Sequence, residues 1–509
     1  MKRITAILLT LLLIVSSLPA FAANESRFII GMVYEKSATI NPIYCNQRDL
    51  QSLNELVFES MITFDETLKP VGELALSWEV DDSDSRVLNV RLRENARFHD
   101  GTYMCAQDVY ESWRYIINLG SSYPYYARCS YIDSISVTGD FTLKIKGKSS
   151  SYYTLYAMTF PVLQRNSLGL NLAIGTGPYW YMYNDVDWIQ VDANPYWWKK
   201  APTVDSVYVF RYDETGEALQ ALNTGEVDAL PTRSQNAALG RLLSDRISVD
   251  YSTLTYEMLI PNLSKDIFRD VRTRQAIMYA LEMSEISANI YMDMVTESEV
   301  PVVTGSWLYE PQSAIYFESK ERALMLLNEA GWGDFNDDGI RDRVIDGMLV
   351  EMKFTITTCD DDAANTHTHA AQLIADQLAI LGIQVTVKTV SASKLQQALK
   401  KKDFEMVLCG VNLSVVPDLT FLLKSDGRMN YSGYADSEMD AMLERLKTTT
   451  DEEEFKTIFK SMERKIAEEL PFMGLFFRKG TIMTTADVDG LDAVLEGDVL
   501  RGFEYIHFN

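Results

Sequence analysis

The C-terminal half of the chain alternates between strand-like and helix-like segments, and this alternation limits the fold more than any other feature. In chain order, the pattern predicts a strand, a helix, a strand, a helix and a strand at residues 349–357, 364–381, 383–390, 394–401 and 404–409. Strands that are connected through helices pair in parallel, with right-handed crossovers. Gly382 follows the longer helix, at a position where helices commonly end in a left-handed residue. The sequence therefore predicts an α/β lobe built on a parallel βαβαβ unit.

The N-terminal half is richer in strands and turns. Apolar residues alternate between Asp133 and Lys146, on either side of Gly139-Asp140, as in a β-hairpin with a two-residue turn. A chain of 509 residues exceeds the roughly 250–300 residues at which single cores stop growing. We therefore expect two or more lobes.

Further helices are predicted from apolar periodicity and capping signals. Two of them lie at residues 106–118 and 214–223. A third begins after Thr450, which forms a predicted capping box with Glu453, and ends before Pro471.

The charge of the chain excludes two classes of partner. Acidic residues outnumber basic residues 72 to 47, which gives a net charge of −25 at pH 7. Binding to nucleic-acid phosphates or to an anionic membrane surface requires a basic face. We therefore predict no nucleic-acid partner and no membrane-surface partner.

The first 22 residues have the features of a secretory signal peptide. They contain Lys2 and Arg3, an apolar run from Ile7 to Val15, and small residues at Ala20 and Ala22. The apolar run is shorter than the ~20 residues that a bilayer core demands. No cysteine lies near the predicted cleavage site to accept a lipid. We expect the mature chain to be periplasmic or secreted.

The cysteines do not form a recognisable framework. There are five, at Cys45, Cys105, Cys129, Cys359 and Cys409. An odd and scattered set does not indicate a disulfide scaffold, and no pair has the C-x-x-C spacing of redox and many zinc sites. We expect most of them to be small buried side chains, and any pairing stays open.

The sequence lacks a recognisable catalytic centre. It has four histidines and no G-x-S-x-G, H-E-x-x-H or Gly-rich phosphate motif. No set of nucleophile, base and orienting group can be assembled from it. We therefore predict no catalytic residue and no cofactor.

Two segments could instead bind a metal ion. His367 and His369 follow the acidic triplet at 360–362, but on a helix residues two apart point in directions that differ by ~200°. The loop at 334–342 spaces oxygen ligands and a glycine as a calcium loop does, although Ile345 stands where the bidentate acid belongs. An Asx-rich turn is the favoured interpretation of this loop. We predict no metal site and leave calcium at 334–342 open.

A series of motifs runs from about residue 28 to the C-terminus. It includes Thr39-Ile-Asn-Pro42, Arg97-Phe98-His99-Asp100-Gly101-Thr102, Gly175-Thr-Gly-Pro-Tyr179, Asn194-Pro-Tyr-Trp197, Gly225-Glu-Val-Asp228 and Phe268-Arg-Asp-Val-Arg-Thr-Arg-Gln-Ala276. In this order and spacing, the series resembles the extracellular solute-binding proteins of ABC transporters, in the oligopeptide, dipeptide and nickel family, family 5.

This resemblance implies an α/β, two-lobed periplasmic-binding-protein type II fold with an extra N-terminal subdomain. The implied lobe I comprises residues 23–265 and 480–509, with the extra subdomain at about 50–200, and the implied lobe II comprises 266–479. A peptide or small-molecule solute would bind between the lobes. The lobes would close around it by a hinge, and the closed monomer would be presented to permease subunits of an ABC transporter.

The resemblance also implies which residues contact the solute. In peptide binders of the family, the loop before the first Asn-Pro touches the ligand backbone, and Lys36 and Ser37 occupy that loop here. Tyr125 matches an aromatic residue that lies on the peptide, and Asn262 matches a contacting asparagine. The remaining implied contacts lie in one segment, at Cys409, Gly410, Val411, Asn412 and Asp418.

One residue of the family pattern is missing. The aspartate that pairs with the α-amine of a peptide has no direct match, because Val411 or Asn412 stands in its place, and Asp418 could replace it only after a loop shift. Burying an amine without a carboxylate is costly. The sequence therefore predicts a receptor for a peptide or peptide-like solute and keeps three alternatives: a receptor for a metal chelate or other non-peptide molecule, a sensory receptor, and, least favoured by the motifs, a secreted enzyme.

Overall fold

The structure is a computed structural model, and it describes residues 26–235, 240, 246–359, 365–485, 488–492, 497 and 499–508. The predicted signal peptide, the acidic triplet at 360–362 and the start of the helix predicted from 364 lie outside these residues. Within the described ranges, no helix has the length and apolar character that crossing a membrane requires.

The strands alternate with helices along most of the chain. The strands are β1 (Arg27–Val33), β2 (Ile62–Phe64), β3 (Pro70–Gly72), β4 (Ala75–Val80), β5 (Val87–Leu92), β6 (Ile132–Gly139), β7 (Thr142–Gly147), β8 (Tyr179–Asn184), β9 (Trp188–Ala193), β10 (Ser206–Tyr212), β11 (Ala229–Thr232), β12 (Arg246–Pro261), β13 (Val295–Glu297), β14 (Asp342–Ile345), β15 (Met348–Glu351), β16 (Lys353–Cys359), β17 (Gln384–Val390), β18 (Met406–Asn412), β19 (Met473–Thr485), β20 (Val488–Asp489) and β21 (His507–Phe508).

The helices are α1 (Arg48–Glu55), α2 (Ala106–Leu119), α3 (Tyr126–Cys129), α4 (Tyr153–Ala157), α5 (Thr215–Thr224), α6 (Asp266–Arg269), α7 (Val271–Ala280), α8 (Met283–Tyr291), α9 (Lys320–Glu329), α10 (Thr366–Ala379), α11 (Ala392–Lys401), α12 (Thr420–Leu423), α13 (Ser437–Leu446) and α14 (Glu452–Glu469). Short 3₁₀ helices lie at Pro311–Ser313 and Phe503–Tyr505.

One mixed sheet runs through both lobes. Its order is β17-β16-β18-β12-β19-β11-β1-β10-β9-β8, and β13 pairs with β19 at its side. We call the half that contains β1 the first lobe and the half that contains β16 the second lobe. The structure is thus a two-lobed α/β fold, as predicted.

The long strands β12 and β19 connect the two halves of the sheet. They pair antiparallel from Arg246 opposite Thr485 to Leu259 opposite Met473, and their register shifts between Ser252 and Tyr256. Beyond this irregularity β12 pairs with β18, whereas the other end of β19 pairs with β11. Residues 253–255 therefore lie where the chain passes from one lobe to the other.

A separate four-stranded sheet belongs to the N-terminal part of the chain. Its order is β4-β5-β7-β6, and α2 contacts β6. This sheet lies within the range predicted for the extra subdomain, which we call the subdomain. The predicted lobe and subdomain boundaries stay a prediction.

The predicted βαβαβ unit is confirmed in its pairing. β16 is parallel to β17 and parallel to β18, with α10 and α11 as the connecting helices. The prediction of a single strand at 349–357 is wrong, because Met352 separates two strands, β15 and β16. Met352 is buried and donates its N–H to the Arg341 carbonyl, while β15 forms a hairpin with β14.

The N-terminal hairpin is also confirmed, as β6 paired antiparallel with β7. The predicted capping box is wrong by one residue. The N-cap of α14 is Asp451, whose carboxylate accepts the Glu454 N–H at 2.7 Å, and not Thr450. An aspartate at this position supplies a charged acceptor to the first turn, which favours this start of the helix.

Candidate functional site

A cavity lies between the subdomain and the second lobe, and we call it the interlobe cavity. Its volume is about 420 Å³. A narrower apolar extension of about 70 Å³ adjoins it. Both spaces are lined by Phe64, Leu68, Leu254, Leu413, Ser414 and Val415. A single solute could therefore occupy the two spaces together.

The hinge region forms part of this cavity. Leu254 lies at the register shift between β12 and β19, and its carbonyl accepts the Leu413 N–H at 2.9 Å. Leu413 follows the last residue of β18. The second-lobe wall is therefore attached to the same segment through which the chain passes between lobes.

The subdomain wall is built on a short turn and helix. Tyr125 precedes α3 in a left-handed conformation with φ of 62°, and Pro124, Tyr125, Ala127 and Arg128 all line the interlobe cavity. Burial, followed by the charge of Glu55, raises the pKa of the Tyr125 phenol, which therefore stays protonated at neutral pH. This wall offers an aromatic ring beside a guanidinium group.

The predicted segment at the end of β18 has two different environments. Asn412 lines the interlobe cavity and accepts the Thr255 hydroxyl at 2.9 Å, whereas Val411 is buried in the core. Cys409 and Gly410 do not line either space. A Cβ placed on Gly410 would lie 2.9 Å from Oε1 of Glu257, so the absence of a side chain there permits a close approach.

Asp418 lies at the apolar extension. Its Oδ2 accepts the Tyr131 hydroxyl at 2.8 Å, and its Oδ1 accepts the Thr420 N–H at 2.9 Å. Tyr131 belongs to the subdomain side and Asp418 to the second lobe, so this hydrogen bond spans the cleft. Asp418 therefore lines the extension, and its replacement of the missing aspartate stays a prediction.

Three further predicted contact residues lie outside this lining. Lys36 and Ser37 are exposed in the turn after β1. Asn262 is buried, and its amide donates to the carbonyls of Lys402 at 3.0 Å and Phe404 at 2.9 Å. Its side chain thus stabilises a turn in the second lobe. Contact of these three residues with a solute stays a prediction.

The prediction missed several lining residues. Among them are Arg48, Arg128, Arg501, Phe64 and Trp307. Arg128 lies three residues after Tyr125, so the aromatic segment was a partial signal for it. The others come from distant segments whose local sequence carries no sign of a site.

A buried ion cluster lies behind β18. The Nε2 of His367 is 2.7 Å from Oε2 of Glu257, and Nε of Arg478 is 2.5 Å from its Oε1. Burial raises the pKa of Glu257, but His367 and Arg478 outweigh this effect and bring it down to about 2. Glu257 is therefore a charged structural group that fixes the back of β18.

The two segments that could bind a metal ion have different local geometries. On α10, His367 is buried and His369 is exposed, so the two side chains diverge. In the loop at 334–342, Asp334 accepts the N–H groups of Asp338 at 3.1 Å and Gly339 at 3.0 Å, which describes an Asx-rich turn. No group of three or more metal-binding side chains occurs within the described ranges.

No disulfide joins any two of the five cysteines in the structure. Cys45, Cys129 and Cys359 are buried, and Cys105 and Cys409 are half-buried. Burial raises the pKa of Cys45 to about 11 and that of Cys129 to about 12. Thiols that remain protonated at neutral pH are poor nucleophiles and metal ligands, so these two are packing residues.

Comparison with known proteins adds family evidence to this geometry. Residues 69–431 match the family model "Bacterial extracellular solute-binding proteins, family 5 Middle". The chain is 23% identical over 488 residues to the oligopeptide-binding protein AppA of Bacillus subtilis, covering 91% of this chain and 88% of that protein. It is 21% identical over 490 residues to the glutathione-binding protein GsiB of Pectobacterium atrosepticum, covering 90% and 89%.

A solved structure confirms the fold. The crystal structure of a nickel ABC transporter protein from Bacillus halodurans superposes with a TM-score of 0.81 at 19% identity, covering 93% of this chain and 98% of that one. The family model spans well over half of the chain and includes the subdomain wall and most of the second lobe. The chain belongs to the bacterial extracellular solute-binding proteins of family 5.

Proposed function

We propose that this protein is the substrate-binding receptor of an ABC importer and that its solute is a peptide or peptide-like molecule. Family membership supports the receptor role, and two relatives that align along most of the chain are named as oligopeptide-binding and glutathione-binding proteins. The receptor binds the solute, closes around it and delivers it to permease subunits in the membrane.

The observation that carries this proposal is the interlobe cavity itself. Its lining includes Tyr125 and Arg128 from the subdomain, Leu254 from the hinge region and Asn412 from the second lobe. A solute in this space would contact both lobes at once, so it would bind the closed arrangement better than an open one. Only such differential affinity allows a ligand to shift the equilibrium towards closure.

Asp418 is the group that we propose for the α-amine of the peptide. Within the described residues it forms hydrogen bonds to Tyr131 and Thr420 but no ion pair. Both of these donors are neutral, so the carboxylate has no cation beside it and could receive an amine. Asp418 thus replaces the aspartate that is missing from its usual place in the family pattern.

The remaining features of the proposal concern the whole chain. Residues 1–22 direct export and are removed, the mature protein acts as a monomer, and it catalyses no reaction. Its partners are the solute and the permease. Neither nucleic acid nor a cofactor takes part.

Native mass spectrometry tests the proposal. The chain from residue 23 to 509 is purified without refolding, and the released ligands are identified after denaturation. We expect a ladder of masses that fit short peptides. A single non-peptide or metal-containing mass would contradict the peptide assignment and favour a receptor for a chelate or another small molecule.

A further inference from the structure

The charge of the interlobe cavity differs from that of the protein. Among the described residues that line it, Arg48, Arg128 and Arg501 are basic and Glu55 is acidic. The chain as a whole has 72 acidic and 47 basic residues. The described lining thus has more basic than acidic side chains, although the protein as a whole is acidic.

Arg128 is the best defined of these arginines. Its Nη1 donates to the Thr159 carbonyl at 3.0 Å and to the Thr159 hydroxyl at 3.2 Å. Its guanidinium carbon lies 4.8 Å from the ring centre of Tyr125. These contacts hold the group in place but do not neutralise it, because none of them comes from a carboxylate.

The guanidinium also retains unused donors. An arginine has five N–H groups, and here one nitrogen serves Thr159. Arg128 forms no ion pair with any residue in the part of the chain that the structure describes, although its side chain is half-buried. A partly desolvated cation without a counter-ion is costly, and an anionic ligand would offset that cost.

Neighbouring residues make this a built site. Thr159 is 7% exposed, so its carbonyl and hydroxyl are fixed acceptors for Nη1. Tyr125 is held in a left-handed backbone conformation with φ of 62°, which costs energy in a residue other than glycine. In this conformation the phenol ring lies beside the guanidinium group, with 4.8 Å between the ring centre and the guanidinium carbon.

We propose that Arg128 binds a carboxylate of the solute, so that the peptide lies with its amine towards Asp418 and its carboxylate towards the subdomain wall. This inference rests on the proposed function. A planar guanidinium and a carboxylate match in a two-bond geometry, which lysine cannot reproduce. The solute is thus a peptide with a free carboxylate, supplied by its C-terminus or by an acidic side chain.

The test compares three pools of tri- to hexapeptides that differ only in carboxylate content. One pool has free C-termini, one has amidated C-termini, and the third has amidated C-termini and one glutamate side chain. Binding of each pool is measured by native mass spectrometry for the wild type, Arg128→Gln, Arg128→Lys and the control Arg322→Gln. Arg322 is exposed and lies outside the cavity lining.

We expect the wild type to prefer the free-acid pool by about 10- to 100-fold, the range expected for a hydrogen bond to a charged group. Arg128→Gln should remove this preference while leaving the amidated pool unchanged, Arg128→Lys should restore part of it, and Arg322→Gln should behave as wild type. Recovery of affinity with the glutamate pool would identify an acidic side chain as the carboxylate source. Thermal unfolding of each variant shows whether it is folded.

Two results would overturn the inference in different ways. Equal binding of the free-acid and amidated pools by the wild type would refute the carboxylate site while the peptide receptor stands. Failure of every pool to bind would refute both the carboxylate site and the peptide receptor.

Discussion

In the proposed site, the carboxylate of Asp418 determines the affinity for the α-amine of a peptide. We predict that Asp418→Asn weakens the binding of peptides with a free α-amine by about 10- to 100-fold, because a hydrogen bond to a charged group is worth ~1.5–3 kcal/mol. Affinities are measured by calorimetry for the peptides that co-purify with the wild type and for their N-acetylated forms, whose binding the substitution should leave unchanged.

Asp426→Asn is the matched control, because the side chain of Asp426 is 82% exposed and lies outside the lining of both spaces. Equal losses for free and acetylated peptides in Asp418→Asn would show that this residue supports the site without receiving the amine.

Glu463 gives a second prediction, for stability. It lies on α14 and is fully buried, and burial raises its pKa from 4.5 to about 8. Between these pH values the native state holds a proton that the unfolded state has released. The contribution of Glu463 is therefore complete below pH 4.5 and is lost as the pH rises towards 8. From this group alone, the free energy of unfolding should fall by about 1.4 kcal/mol per pH unit.

Glu463→Gln removes this titration, so the free energy of unfolding should depend less steeply on pH. Urea unfolding at pH 5, 6, 7 and 8 measures the slope. Glu321→Gln, at an exposed position on α9, is the control. Identical slopes for wild type and Glu463→Gln would show that the carboxyl group is ionised in the native state.

The strand β18 requires a residue without a side chain at position 410. Gly410 faces Glu257, whose carboxylate is held by His367 and Arg478 and therefore cannot move aside. In Gly410→Ala the new Cβ would lie 2.9 Å from Oε1 of Glu257. We expect a loss of about 1–3 kcal/mol in the free energy of unfolding, as in other overpacked sites.

Gly216→Ala in α5 is the control, because nothing lies within 4 Å of the added Cβ. It should leave stability unchanged or raise it by about 0.4–1 kcal/mol. Chemical denaturation measures both variants. An equally stable Gly410→Ala would mean that the ion cluster rearranges without cost.

The sequence predicts elements better than it predicts their junctions. The parallel unit of β16, β17 and β18 follows from apolar periodicity, which records burial directly. The break at Met352 does not, because Leu349–Glu351 and the residues after Met352 are equally apolar in pattern and only tertiary packing separates them. The N-cap at Asp451 was missed because Thr450 offers a similar local signal.

The site is harder to predict than the fold. Resemblance and local sequence indicated Tyr125 and Asp418, which line the two spaces. Arg128 and Trp307 were not indicated, because their significance arises only when segments far apart in the chain converge on one cavity. The partial burial of Arg128 and its lack of an ion pair among the described residues exist only in the folded chain. The local sequence around Arg128 does not indicate them.

For the whole molecule, contacts across the cleft determine how readily the lobes separate. Glu452, at the start of α14, pairs with Lys69 at 2.5 Å and accepts the Tyr152 hydroxyl at 3.1 Å. Both partners belong to the subdomain side. We predict that Glu452→Gln weakens peptide binding by about two- to fivefold, because a partly exposed ion pair contributes ~0.2–1 kcal/mol to the closed arrangement.

Small-angle X-ray scattering should show a larger mean radius for unliganded Glu452→Gln than for the wild type. Glu453→Gln changes an exposed neighbour in the same helical turn and serves as the control. Unchanged affinity and radius in Glu452→Gln would show that this contact does not contribute to closure.

The position of β19 in the sheet also governs the order in which the protein can be completed during synthesis. β19 comprises Met473–Thr485 of a 509-residue chain, yet it lies between β11 of the first lobe and β12 of the second. A nascent chain that stops before residue 473 leaves β11 and β12 unpaired along the edges that β19 would cover. Neither lobe can therefore be completed on its own during synthesis. The assembly of both lobes waits until the ribosome has made the last tenth of the polypeptide, which contains β19.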